Sequence, residues 1–187
     1  MRTSLPSFAS VSILKAMTTA VSINIREAEL GDSEVIARFN VALARESEGL
    51  ALDPAVVRQG VKALLGDRRK GIYFVAGAVG AVIGQVLITT EWSDWRNGDI
   101  WWLQSVYVQE EFRRRGVFKM LLAHVLEQAR RQRQVCSVRL YMDADNATAR
   151  QAYRRLGMKQ TKYVVFETEV EESRDLPAQA GPETPGH

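Results

Sequence analysis

Three consecutive arginines, Arg113, Arg114 and Arg115, run into Gly116 and Val117 at the head of an amphipathic stretch that continues Phe118-Lys119-Met120-Leu121-Leu122. A guanidinium is a permanent cation whose planar fork of N–H donors suits phosphate oxygens, and glycine lets the backbone come close to a ligand. If a helix begins here, its first N–H groups lack intrahelical partners and carry the positive end of the macrodipole, so the turn becomes an anion site. Without that context the same residues are a solvated basic loop. A second set, Asn146, Ala149 and Tyr153, is spaced at 0, 3 and 7 and therefore lies along one side of a helix. Its plainest reading is an N-cap followed by a core stripe, although small Ala149 also leaves room for a ligand.

The elements that must position these residues follow from periodicity. Trp101–Val108 is rich in aromatic and β-branched residues and reads as a strand, with Gln109–Arg115 as a short basic turn and a helix from Gly116 onward. The apolar stripe of that helix is Val117, Met120, Leu121, Val125 and Ala129, and His124 in the same stripe reads as a core histidine. Upstream, Ser22–Ala28 alternates as a half-buried strand. A helix follows from a cap at Asp32 to about Glu48, and a second from Pro54 to Gly66. Residues 71–77 and 81–91 form a hairpin turning at Val79-Gly80, and 92–98 reads as a loop. Downstream, Ser137–Met142 is a strand that runs parallel to Trp101–Val108 if the helix between them is a right-handed crossover. A helix from Ala147 to Leu156 stops at Gly157, and Met158–Val170 reads as a final strand or a broken pair.

The run Ser105–Val108 (SVYV) followed by Arg113-x-x-Gly116-x-Phe118 resembles the Q/R-x-x-G-x-G/A signature of the GNAT superfamily of N-acetyltransferases, with Phe118 where the family prefers Gly or Ala. Asn146–Met158 (NATARQAYRRLGM) resembles its N-x-x-A-x-x-x-Y-x-x-x-G-F pattern, with Met158 for Phe. The resemblance covers roughly residues 22–169. It implies an α/β (α+β) fold: a mixed, mostly antiparallel sheet whose strands Trp101–Val108 and Ser137–Met142 are parallel and splayed, flanked by about four helices. It further implies that Arg113 to Lys119 hold the pyrophosphate of acetyl-CoA and that the backbone of Val106, Tyr107 and Val108 bonds the pantetheine. Asn146 and Ala149 would then contact the arm, and Tyr153 would protonate the departing thiolate. A bulge in the central strand would open the cleft that pantetheine enters like an added strand.

The implied activity is acetyl transfer from acetyl-CoA to a primary amine of a small molecule or peptide by direct attack, since no placed Cys or Ser–His pair suggests a covalent intermediate. An alkylammonium must lose a proton first. Many relatives supply a glutamate on the central strand, where this chain has Gln104 and Ser105, so the candidate bases are Glu46 and Glu91, then Glu48 and Asp143. Trp92, Trp95, Trp101 and Trp102 beside Glu91, Asp94 and Asp99 would suit a cationic amine, or equally a core corner or a homodimer surface. Rival readings are a non-catalytic CoA-binding sensor and a basic nucleic-acid module, the latter without an accompanying RNP, zinc-finger or recognition-helix pattern.

Composition bounds the rest. The 187 residues, 46% hydrophobic and 25% charged, suit one domain with a real core, and no apolar run approaches a membrane span. The net charge of +3 divides unevenly: residues 1–166 carry 24 basic and 16 acidic groups, which favours an anionic ligand, while the remainder is acidic. Cys136 is the one cysteine, so it forms no intrachain disulfide and no Cys/His metal cluster; it reads as a buried strand residue in a reducing, cytoplasmic setting. Residues 1–21 read as an extension outside the fold, with Met17 as a natural start. Residues 170–187, with three of the five prolines, read as a disordered acidic tail.

Overall fold

Period-two alternation and turn chemistry build a five-stranded sheet on which the helices are hung. The computed structural model describes residues 22–168, so the expectations for the two termini fall outside the described residues. Strands β1 (Asn24–Glu27), β2 (Ile72–Ala78), β3 (Ala81–Ser93) and β4 (Gly98–Val108) are successively antiparallel. β5 (Val135–Leu140) joins β4 in parallel, giving the mixed sheet order β1-β2-β3-β4-β5. Val79 and Gly80 both take positive φ, 51° and 75°, as a twist-matched two-residue hairpin turn requires. The predicted loop at 92–98 shrinks to four residues because the β3–β4 ladder continues through Trp92 opposite Asp99 and Ser93 opposite Gly98.

Helices α1 (Ser33–Glu48) and α2 (Pro54–Leu65) cover one face of the sheet, where Tyr73, Val75 and Leu87 meet Ile36, Ala37 and Val61. The other face, with Phe74, Val86, Ile88, Trp101 and Leu103, packs on α3 (Val117–Arg131). Alternate strand residues thus feed two separate apolar layers. In α3 the predicted stripe is buried at Val117, Leu121, Val125 and Ala129, but Leu122 joins it in place of Met120, which is 37% exposed. His124 sits edge-on to Phe74 at 4.8 Å, and burial holds its pKa below the usual histidine range. The last helix is α4 (Ala147–Arg155).

Two expectations are corrected. Residues 158–168 contain no strand: Tyr163, Val164, Val165 and Phe166 are 66–92% exposed. Their side chains favour extended structure, but a strand persists only where a neighbour takes its backbone hydrogen bonds, and these four residues have none. Cys136 is exposed rather than buried because β5 is the last strand of the sheet; its thiol donates to the Asp99 carbonyl at 3.2 Å.

Asp32, 8% exposed, ties β1 to the start of α1. Its carboxylate accepts from Arg26 Nη1 and Nη2 at 2.7 and 2.9 Å and from the Glu29 N–H at 2.8 Å. The Arg26 hydrogen bonds, opposed by burial, hold its pKa below the ordinary carboxylate value. A depressed folded pKa contributes stability that is present above the unfolded value of about 3.9 and lost as pH falls through the folded one. Asp32→Asn should therefore cost about 1.5–3 kcal/mol in urea unfolding at pH 7, with the gap to wild type narrowing as pH falls below the ordinary carboxylate value of about 3.9; a gap that stays constant through that fall would refute this account.

Candidate functional site

The sheet opens where β4 outruns β5. Leu103 opposite Leu140 is the last pair of the parallel ladder, and Gln104–Val108 continue without a β5 partner. The β3–β4 register shows why the strand turns aside: Gln85 faces Tyr107 and Leu87 faces Gln104, so Ser105 and Val106 together oppose the single Val86. Ser105 absorbs this bulge at φ 46°, a strained value for a non-glycine residue. Beyond the bulge Val106 and Val108 pack toward α3, while Tyr107 turns to α1 and meets the Phe39 ring at 5.0 Å.

At the far end of this fork, a single-turn 3-10 helix (Glu110–Phe112) leads into the arginine turn and α3. Gly116 has φ 81° and a Cβ there would meet nothing within 4 Å, so the glycine serves the left-handed turn and leaves open space in front of it. The first bond of the helix runs from Met120 N to Gly116 O at 3.0 Å, which leaves the amides of Val117, Phe118 and Lys119 facing outward from the helix start without partners. Arg114, Arg115 and Lys119 are exposed and form no ion pair among the described residues; Arg115 lies over the Phe112 ring at 5.5 Å.

Arg113 is placed differently. Its Nη2 donates to Glu46 Oε2 at 2.5 Å and its Nε to the Val108 carbonyl at 2.8 Å, while Glu46 Oε1 accepts from the Tyr107 hydroxyl at 2.9 Å. The last turn of α1 is thereby pinned to the arginine turn. Arg113 holds the Glu46 carboxyl below its ordinary pKa, and burial with Glu46 beside it pushes the Tyr107 phenol up.

Across the fork, Asn146 caps α4: its Oδ1 accepts from the Ala149 N–H at 2.9 Å, and its amide Nδ2 makes no hydrogen bond. Tyr153 lies two turns on, half-buried, with its pKa raised by burial. The Phe118 ring, whose place the sequence left open, is half-buried against the core and meets Tyr153 edge-on at 5.7 Å. The Phe118–Tyr153 contact sets the head of α3 beside α4, and the exposed Arg114, Arg115 and Lys119 with the free amides of that helix start suit a phosphate-bearing group.

Glu91 and the tryptophans lie on the sheet rather than at the bulge. Glu91 pairs opposite Ile100, five positions before Ser105; it accepts from Trp102 Nε1 at 2.7 Å and stands 3.9 Å from Arg139. Trp102 stacks on Tyr141 at 4.3 Å and 17°, Trp101 is 3% exposed in the core, and Trp92 and Trp95 are on the surface. Sequence reasoning missed the chain of Gln85, Asn40 and Tyr73 beneath the bulge, although a lone glutamine in the apolar run AVIGQVLITT is a legible sign of a buried polar contact.

Residues 42–158 match the model of the acetyltransferase (GNAT) family. The chain is 43% identical to a possible acetyltransferase from Clostridium difficile 630, at TM-score 0.76, over 80% of this chain and 99% of that one. At the level of fold alone it is similar to a predicted acetyltransferase with acetyl-CoA from Clostridium acetobutylicum: 15% identity, TM-score 0.65, 79% and 96% of the two chains. The same holds for the aminoglycoside N-acetyltransferase AAC(6')-Iy in complex with CoA: 18% identity, TM-score 0.64, 80% and 95% coverage. No protein of curated function matches the chain.

Proposed function

The chain belongs to the GNAT acetyltransferase family, and from that premise we propose that it transfers the acetyl group of acetyl-CoA to a primary amine of a small molecule or peptide by direct attack. The observation that carries this is the fork itself: β4 and β5 part after Leu103 and Leu140, with unpaired cations and free helix amides at one end and a half-buried phenol at the side. Acetyl-CoA supplies an activated acyl group and a thiolate that can leave.

The chain's own residues then divide the work. Arg114, Arg115 and the amides of Val117, Phe118 and Lys119 hold the phosphates, and the β4 backbone at Val106 and Val108 lines the arm. Arg113 acts through Glu46 as a positioning residue rather than as a free phosphate ligand. Asn146 Nδ2 is available to the arm while Oδ1 caps α4. Tyr153, kept protonated by burial, gives its proton to the leaving sulfur. Glu46 and Glu91 are each paired with an arginine, so the ammonium proton is assigned to solvent water at the mouth of the fork.

Calorimetric titration of the full chain with acetyl-CoA should give one-to-one binding at micromolar Kd or tighter, and no binding would overturn the reading. With Glu46→Gln, kcat/KM should fall several-fold while the acidic limb of the pH–rate profile stays where it is. If that limb disappeared, Glu46 would be the base after all.

A further inference from the structure

Between α1, α2 and the sheet lies a cavity of about 380 Å³, within the size range of small-ligand sites. Leu43, Val61 and Leu64 make it apolar, while Asn40, Tyr73 and Ser105 bring polar atoms to it, and the strained Ser105 places its inner end at the β4 bulge.

Two features, one beneath the cavity and bonded to its lining residues Asn40 and Ser105, the other at its rim, have no structural explanation. Gln85 is 0% exposed; its Nε2 donates to Asn40 Oδ1 at 2.7 Å and to the Ser105 carbonyl at 3.2 Å, yet its Oε1 has no partner. A buried acceptor with no partner is destabilising, because it has lost water's hydrogen bonds and gained none. Asn40 passes the chain on, donating from Nδ2 to the Tyr73 hydroxyl at 2.9 Å. The second feature is Gly60, in the middle of α2 and at the exposed rim of the cavity, although an interior glycine weakens a helix against alanine. A Cβ at Gly60 would meet nothing within 4 Å, so packing does not demand glycine; its effect is to keep the cavity rim bare.

We propose that this cavity is the acceptor pocket, and that it takes a monoamine with an apolar body, the body against Leu43, Val61 and Leu64 and the amine toward Tyr73 and Ser105. This rests on the acetyltransferase reading above. Charge sets the class. Glu48 is the one acidic residue lining the cavity, and in the outer groove between α1 and α2 Arg38, Arg45 and Arg58 outnumber Glu34 and Glu46, which are already paired with Arg58 and Arg113, so a polyamine or amino sugar has no matching set of free carboxylates.

The test compares 2-phenylethylamine with spermidine and kanamycin in the wild type and in Gly60→Leu, which sets an apolar side chain at the rim where a Cβ meets open space and replaces a poor helix former with a good one. Wild-type kcat/KM should favour 2-phenylethylamine at least tenfold. Gly60→Leu should raise its KM at least tenfold, with kcat within twofold and acetyl-CoA affinity unchanged. Preference for spermidine or kanamycin, or an unmoved KM in Gly60→Leu, would overturn the proposal and leave acetyl transfer standing. Direct titration of 2-phenylethylamine by ligand-observed NMR judges the pocket even if acetyl-CoA fails to bind: binding lost in Gly60→Leu sustains it, and binding absent from wild type or equal in both overturns it.

Discussion

Tyr153→Phe should lower kcat by at least tenfold and as much as a thousandfold while leaving the Kd for acetyl-CoA within twofold. General acid assistance contributes about 10²–10⁴ in rate, and some of that survives through water. The ring remains, so the edge contact with Phe118 and the packing of α4 are kept. Only the proton is removed. Burial raises the Tyr153 pKa above its usual value, so the phenol stays protonated through the neutral range and activity should fall only when pH passes that raised value. Steady-state kinetics with calorimetry decides the matter: unchanged kcat would make Tyr153 a core residue, and a loss confined to cofactor affinity would make it a binding one.

Gly116→Asp should weaken acetyl-CoA binding at least a hundredfold. Two unit charges about 5 Å apart at an effective dielectric of about 20 repel by about 3 kcal/mol, which converts to more than two decades in Kd. The fold should tolerate the change, because Asp is among the few residues that accept a left-handed φ and Gly116 is the N-cap of α3, where a carboxylate is favourable. Gly116→Asn separates charge from bulk. It has nearly the same shape and no charge, and its Kd should rise less than tenfold with an unaltered Tm. Equal losses in both variants would assign the effect to crowding, and no loss in either would make the turn ordinary surface.

The parts legible in the chain were those written at short range. Arg113–Gly116 at a strand-to-helix junction, the cap at Asn146 and the 0, 3, 7 spacing to Tyr153 are local patterns, and local geometry reproduced them. Alternation in β2, β3 and β4 likewise separated two sheet faces, because side chains in a strand must point to opposite sides. The stretch Tyr163–Phe166 is all aromatic and β-branched and forms no strand, since pairing depends on a partner that propensity does not supply.

Sequence by itself determined the family, the order of strands and helices and the basic turn at the head of α3, each encoded by residues within a few positions of one another. Tertiary structure alone decided that Arg113 belongs to Glu46 and Tyr107, 67 and six residues away in the chain; that Glu91 is taken by Trp102; and that Gln85, Asn40 and Tyr73 meet beneath Ser105. The reason is physical. A charge or an amide can satisfy itself with any complementary group, and which one it finds is set by how helices and strands pack, not by its neighbours in sequence.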